Sequence, residues 1–492
     1  MIQVKINKAG WEYDIHSLVK AFYPEETVKV LTPESVEKKP AEKPLQTFTI
    51  TVEEKQITMK PEDGTLWTLN TADIERTAPA FKNEFKKFLY RSLSAYTGKK
   101  LPWGNLTGIR PTKIAMTMLE EGKEEAEVAA FFKQEHYVSQ EKTELAIDIA
   151  KREKAILSQI THDGYSLYIG IPFCPTTCLY CSFTSYPIAA FRERVETYID
   201  CLIREMQETA RICKDKVLDT VYIGGGTPTT LEAEQLDRLI RNLKEIFDFS
   251  TVKEFTVEAG RADSITREKL EVLKKYGVTR ISVNPQTMHD KTLQLIGRRH
   301  TVGQAVDAYH MARELGFDNI NMDIILGLPG EDEADVAETI RQIEALSPDS
   351  LTVHSLAIKR ASRLRRYMDE HQVFSIHNTD ETMRIAAEGA RTLSMQPYYL
   401  YRQKNMSGNF ENVGYARDGK YGIYNILIME ELQTIVALGA GSITKRVFPD
   451  GRIERCDNVK DVRCLSSEEQ EKYDESIKAV DDYYSGNAHP PI

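Results

Sequence analysis

Three cysteines fall within eight residues, in the run CPTTCLYC at 174–181. The spacing is Cys-x3-Cys-x2-Cys, set by Cys174, Cys178 and Cys181. Three thiols so close in sequence cannot share one face of a regular helix or strand. They need a loop wrapped around a common centre. Soft thiolate ligands select iron–sulfur clusters, zinc or copper(I). A structural zinc ordinarily takes four ligands in pairs of short spacers. No second cysteine pair stands near; Cys201 comes later, inside an expected helix. A [4Fe–4S] cluster with three protein cysteines leaves one iron open to a further ligand. Two other signals accompany the cysteines. IGGGTPT at 223–229 is a glycine-rich turn through which backbone can approach a ligand closely. Asp323 interrupts the apolar run NMDIIL, and an acid there is costly unless it is paired or bound.

The elements that must position these residues have a βα rhythm from residue 165 onward. Six short apolar runs are expected as strands: YSLYIGI (165–171), TVYIGG (220–225), EFTVEA (254–259), RISVNP (280–285), NINMDIIL (319–326) and SLTVHSL (350–356). Near-continuous apolar strands are the mark of a sheet covered on both faces. Amphipathic helices lie between them. LEAEQLDRLIRNLKEIF (231–247) places Leu236, Leu239, Ile240, Leu243 and Phe247 on one face, with Thr229 and Glu232 expected as its capping box. EKLEVLKKYG (268–277) stops at Gly277. Six βα units in a row predict a parallel α/β sheet curled into a barrel or part of one, with chemistry at the C-terminal ends of the strands.

Upstream, QTFTITVEEKQITMK (46–60) has two β-like runs about a charged turn at Glu53–Lys55, ESVEKKPAEKP (34–44) reads as a loop, and FKNEFKKFLYRSLSAYTG (81–98) and ELAIDIAKREKAILSQI (144–160) read as helices. Residues 1–160 are thus expected to form an α+β N-terminal domain, 161–395 the barrel, and 396–492 a smaller C-terminal domain. That last part begins with a loop-rich YYLYRQKNMSGNFENVGYARDG and ends in a charged helix.

Length and composition bound the function classes. At 492 residues, 41% hydrophobic and 28% charged, the chain suits two to four ordinary globular domains. A net charge of −10 argues against a broad nucleic-acid surface, though it leaves room for a local basic pocket. No apolar run approaches the roughly 18 residues of a membrane span, and the N-terminus lacks the apolar core of a signal peptide. A cytoplasmic location is expected. In a reducing compartment clustered cysteines point to a metal or redox site, and Cys201, Cys213, Cys456 and Cys464 are expected to have no role.

YIGIPFCPTTCLYC resembles the cluster loop of the radical S-adenosylmethionine (SAM) superfamily, in the branch of oxygen-independent coproporphyrinogen III dehydrogenase, whose members typically read YIHIPFCxxxCxYC. The long N-terminal region and the phrases LTGIRPTKI (106–114) and YRQKNMSGNFENVGYA (401–416) resemble its HemZ-like variant. The resemblance implies a partial (βα)6 barrel and a [4Fe–4S] cluster on Cys174, Cys178 and Cys181, with SAM on the open iron. It implies cofactor contacts at Tyr168, Tyr180, Gly225, Gly226, Thr227, Glu258, Gln286, Arg298, Asp323, Ala357 and Ile443, with Tyr168 and Glu258 as catalytic residues.

The activity it implies is removal of a propionate Cβ hydrogen by a 5′-deoxyadenosyl radical. Loss of CO2 and one electron then leaves a vinyl group, twice over, giving protoporphyrinogen IX. The partners are a tetrapyrrole, an electron donor and an electron acceptor. A substrate with four carboxylates calls for forked cationic groups. Lys359, Arg360 and Arg363, in LAIKRASRLRRYM after the sixth strand, are candidates, as are Arg299 and His300. Two departures bear on the substrate. Gly170 stands where the family has histidine, and Phe183 where the established dehydrogenases have a fourth cysteine, so that CSF is closer to the heme-chaperone relatives. A heme chaperone, or a radical methyltransferase that opens heme anaerobically, are the competing readings.

Overall fold

The computed structural model describes residues 1–462 except 25, 36–42, 75–77, 109, 162–163, 182, 184, 358–362, 372–376, 403–405, 407–409 and 449, and except the side chains of 78, 365, 368, 369 and 371. The chain forms two compact units, 1–151 with 401–411 and 152–400 with 412–492.

The first unit is α+β. Strands β1 (Ile2–Ile6), β2 (Val28–Leu31), β3 (Gln46–Val52), β4 (Gln56–Pro61) and β5 (Trp67–Asn70) form one sheet in the order β2-β1-β3-β4-β5. The hairpin expected at 46–60 is present, with β3 and β4 antiparallel. Helices Glu12–Phe22 and Ala78–Thr97 cover the sheet, burying Ile15, Leu18, Phe22, Phe85 and Leu89 against Ile2, Val4, Phe48 and Met59. Residues 401–411 join this unit through buried polar contacts. Trp103 Nε1 donates to Glu411 Oε2 at 2.7 Å, Lys142 Nζ lies 2.7 Å from Glu411 Oε1, and Arg402 Nη1 donates to the Leu106 carbonyl at 2.7 Å. The two phrases read as HemZ-like therefore meet in space.

The second unit is the α/β partial barrel. Its strands are β6 (Tyr165–Ile171), β9 (Leu218–Gly225), β10 (Glu254–Gly260), β11 (Arg280–Val283), β12 (Ile320–Leu326) and β13 (Ser350–Ser355), with the two-residue pair β7 (Phe173–Cys174) and β8 (Tyr186–Pro187) beside the cysteine loop. The six long strands are the six expected from sequence, and every neighbouring pair is parallel. Five later strands extend this sheet at both edges. β14 (Gln396–Tyr401) and β15 (Asn412–Ala416) lie beyond β13, while β16 (Thr434–Leu438), β17 (Ile443–Val447) and β18 (Ile453–Asp457) lie beyond β6.

One local expectation fails. Helix Ala233–Ile246 is capped by Glu232 and Gln235, not by Thr229 and Glu232. Thr229 instead donates its hydroxyl to the Ala259 carbonyl at 2.6 Å, tying the glycine-rich turn to β10. Helix Arg267–Lys275 ends as expected, with Gly277 in the left-handed region at φ 72°. Cys201 and Cys213 are buried thiols and Cys456 lies in β18. Cys464 and the expected terminal helix lie outside the described residues. Among the described residues no helix is long and apolar enough to cross a membrane.

Candidate active site

The cysteine loop leaves the C-terminal end of β6 and is pinned by backbone and side-chain contacts. Gly226 and Thr227 N–H groups donate to the carbonyls of Ile171 and Phe173 at 2.7 Å each. Gly226 is required here, since a Cβ would stand 2.5 Å from the Phe173 carbonyl oxygen and 2.9 Å from Cys174 Sγ. On the far side, Leu179 N–H donates to the Ile296 carbonyl at 3.0 Å, and Thr176 Oγ1 donates to the Gly297 carbonyl at 2.9 Å. Two sulfurs accept hydrogen bonds: Cys174 Sγ from Thr227 Oγ1 at 3.6 Å and Cys178 Sγ from Arg261 Nη1 at 3.7 Å. Arg261 is buried and held by Asp263 at 2.6 Å. Arg298 is buried, donates to the Asn284 carbonyl at 2.6 Å, and hydrogen-bonds both Tyr180 and Cys178. Burial opposes its charge, but Tyr180 and Cys178 outweigh that and raise the guanidinium above its ordinary value.

Among the described residues, no three His, Cys, Asp or Glu side chains converge on one metal ion. An iron–sulfur cube offers each thiolate its own iron, and hydrogen bonds to its sulfurs help set its potential. Three cysteines, donors on two of the sulfurs and a glycine that leaves room beside Cys174 Sγ fit such a cube.

Five strands each turn a half-buried side chain to the barrel interior from an otherwise buried run: Tyr168 on β6, Tyr222 on β9, Glu258 on β10, Asp323 on β12 and His354 on β13. Neighbours in this ring interact. The Tyr168 and Tyr222 rings stack at 6.2 Å, and the Tyr222 hydroxyl donates to Glu258 Oε1 at 2.5 Å. Burial raises the Glu258 carboxyl to about 7; the Tyr222 hydrogen bond opposes this and the Asp323 charge adds to it. Burial acts to raise Asp323 as well, but His354, Asn321 and Thr352 outweigh it and hold the carboxyl below its ordinary value. Gln286 sits beside the ring in the left-handed region at φ 70°, a strained conformation for a residue with a side chain. Its N–H donates to the Asp323 carbonyl and its carbonyl accepts from Ile325 N–H, each at 2.9 Å.

The remaining expected residues are spread around this centre. Gly225 ends β9 and Thr227 lies in the turn after it, Tyr180 packs against the cluster that includes Leu356 and Leu364, and Ala357 follows β13. Ile443 opens β17 with its side chain 47% exposed. Arg299 and Arg363 come from distant segments to one cavity of about 700 Å³. Its walls include Pro175, Thr176 and Thr177 of the cysteine loop, Gln294 and Arg298, with no acid among the described residues lining it. Arg363 also donates to the Thr177 carbonyl. Lys359 and Arg360 lie outside the described residues. His300 does not join the cationic group. Its side chain is fully buried, with Nδ1 3.9 Å from Asp263, and burial lowers it to about 4, so it is a neutral imidazole. Tyr222, His354, Arg261 and Tyr424, whose ring stacks on Tyr222 at 4.4 Å, are not among the residues expected from sequence. For Tyr222 and His354 the signal was strand alternation, since each shares its inward phase with Gly224 or Thr352 two residues away. Arg261 and Tyr424 come from a loop and a helix, where no period betrays them.

Residues 168–343 match the radical SAM superfamily. An oxygen-independent coproporphyrinogen-III oxidase-like protein, HemZ, from Bacillus subtilis is 41% identical over 409 residues, covering 82% of each chain. The chain belongs to the radical SAM superfamily, in its HemZ-like branch. Membership in the radical SAM superfamily implies a [4Fe–4S] cluster and SAM. The heme chaperone HemW of B. subtilis is 38% identical over 195 residues, spanning 39% of this chain and 51% of that one. The oxygen-independent coproporphyrinogen III oxidase of Salmonella typhimurium is 31% identical over 192 residues, 39% and 42% of the two chains. Among solved structures, the radical SAM enzyme coproporphyrinogen III oxidase (HemN) of Escherichia coli aligns with TM-score 0.48 and 20% identity, over 63% of this chain and 70% of that one.

Proposed function

We propose that this radical SAM protein is an oxygen-independent coproporphyrinogen III dehydrogenase that converts two propionates to vinyl groups in heme biosynthesis. The observation that carries the substrate reading is the convergence of Arg299 and Arg363, from separate segments, on a cavity walled by the cysteine loop whose described lining residues include no acid. Forked guanidinium groups suit carboxylates, and a cavity of about 700 Å³ suits a ligand of tetrapyrrole size. Lys359 and Arg360 belong to the same cationic segment and extend the proposal.

Cys174, Cys178 and Cys181 would hold the cluster. When bound, the cluster supplies one electron to SAM, and SAM supplies a carbon-centred radical for hydrogen abstraction. The chain's own residues orient and shield this chemistry. Glu258 and Asp323 would present carboxylates to the cationic and hydroxyl-bearing parts of the cofactor, with Tyr168 beside them. Gly225, Gly226 and Thr227 would bring backbone to its methionyl end. Gln286, Arg298, Tyr180, Ala357 and Ile443 complete its surroundings. Residues 396–492 would cover the substrate, and an external electron donor and acceptor are required.

One observation favours a second reading. Phe183 stands in place of a fourth cysteine, as in the heme-chaperone relatives, and is 72% exposed. A HemW-like chaperone would bind heme without turning it over. Anaerobically reconstituted protein given SAM, a reductant and coproporphyrinogen III decides between them by product mass. Loss of two CO2 with their hydrogens supports the dehydrogenase. Intact coproporphyrinogen together with tight heme binding supports the chaperone, and a ring-opened linear tetrapyrrole supports a methyltransferase.

A further inference from the structure

Glu258 is set into a wall of tyrosine rings drawn from three elements. Tyr222 on β9 and Tyr424 on helix Ile423–Glu430 stack at 4.4 Å and 22°, and Tyr168 on β6 stacks on Tyr222 at 6.2 Å and 17°. The Tyr222 hydroxyl donates to Glu258 Oε1 at 2.5 Å. Gly224 leaves room for this pair, since a Cβ there would stand 2.8 Å from the Tyr222 ring and 3.1 Å from the Glu258 carboxyl carbon. The other groups facing Glu258 are the Tyr168 and Tyr424 hydroxyls, the Asp323 carboxylate on β12, the Arg280 guanidinium on β11 and the backbone N–H of Gly225. Among the described residues no lysine or arginine lies within ion-pair distance of Glu258.

We infer that Tyr222 is the positioning residue of Glu258: its ring is locked in the tyrosine stack, and its hydroxyl aims the carboxyl into the barrel interior and keeps it available as an anion for a cationic ligand. This rests on the proposal that the interior takes SAM, whose sulfonium and ammonium groups are the cations in question. A carboxyl without a cation partner depends on hydrogen bonds to stay ionised when buried. Tyr222 and the Gly225 N–H are the donors that oppose burial, and with them the group sits at about 7. Removing the hydroxyl must move that midpoint upward. Tyr424 acts on Tyr222 through ring contact alone, so its hydroxyl is dispensable for the effect.

The test uses reconstituted holoprotein in wild-type, Tyr222→Phe, Tyr424→Phe and Glu258→Gln forms. The Glu258 carboxyl is titrated without ligand by infrared difference spectroscopy, its band identified by its loss in Glu258→Gln. SAM binding is measured by calorimetry across neutral and alkaline pH. In Tyr222→Phe the carboxyl midpoint and the pH midpoint of SAM binding both move upward. Affinity near neutrality falls about tenfold, as expected for one hydrogen bond to a charged group, and recovers at alkaline pH. Tyr424→Phe leaves the midpoint in place. An unmoved carboxyl midpoint in Tyr222→Phe, or an affinity loss equal at every pH, overturns the inference and leaves Tyr222 as packing. If wild-type protein binds no SAM while the carboxyl midpoint still moves, the cofactor proposal fails and the positioning role stands.

Discussion

His354 Nε2 lies 3.8 Å from Asp323 Oδ2, across the parallel strands β13 and β12. Asp323 Oδ1 accepts from Asn321 Nδ2 at 2.7 Å, and Asn321 in turn accepts from Thr352 Oγ1 at 3.1 Å. An acid in an apolar strand is thereby kept ionised and fixed in direction. The sequence argument for Asp323 was that such an acid must be paired or bound, and the structure supplies the pairing while leaving the carboxylate half-buried toward the interior.

Asp323→Ala is therefore expected to retain its iron and lose SAM cleavage, read as release of 5′-deoxyadenosine. His354→Gln should weaken SAM binding by about 1 kcal/mol, the worth of one hydrogen-bonding partner, with the fold intact. Wild-type cleavage in Asp323→Ala would mean that the interior carboxylates do not serve the cofactor.

Each of Cys174→Ala, Cys178→Ala and Cys181→Ala should lose the cluster on anaerobic reconstitution, while Cys201, Cys213, Cys456 and Cys464 should each be replaceable by Ala. Gly226→Ala should also lower iron content, because its Cβ would be forced against the Phe173 carbonyl oxygen at 2.5 Å. Iron and sulfide analysis decides this. Full iron in Cys178→Ala would sink the ligand assignment.

Glu258 links stability to pH. Its folded-state midpoint of about 7 lies above the ordinary 4.5. The folded protein thus binds the proton more tightly than the unfolded chain does. The stability this contributes is complete below the unfolded value near 4.5 and is lost as pH rises through about 7. Above that window the buried charge costs about 3 kcal/mol. Glu258→Gln should raise the melting temperature clearly at pH above this window and hardly at all below it. A stabilisation independent of pH in thermal scans would show that the carboxyl is not raised.

Arg299 is exposed and makes no ion pair among the described residues, whereas Arg363 holds the cysteine loop through the Thr177 carbonyl. Arg299→Ala is the cleaner probe of the cavity. It should weaken tetrapyrrole binding by about 1–3 kcal/mol, as for a lost hydrogen bond to a charged group, with iron content unchanged. Arg360→Ala should do the same if its segment reaches the substrate. Unaltered binding in both, measured by fluorescence titration, would make the cationic segment a solvated surface.

The features legible in the residues alone are local in origin. Strands were legible as apolar runs because a sheet covered on both faces admits no polar alternation, and β6 and β9 through β13 fall where those runs fall. The cluster loop was legible because three thiols at Cys-x3-Cys-x2-Cys spacing have few other uses. The strand-end acids Glu258 and Asp323 stood out against their apolar neighbours. Tertiary structure decided what depends on approach between distant segments. Only the fold brings Arg299 and Arg363 to one cavity, buries His300 as a neutral imidazole, and carries residues 401–411 into the N-terminal unit. Tyr424 stacks on Tyr222 from a helix two hundred residues downstream. Periodicity reports which face of an element is buried; it does not report which other element covers that face, and for these residues the covering partner sets their charge and orientation.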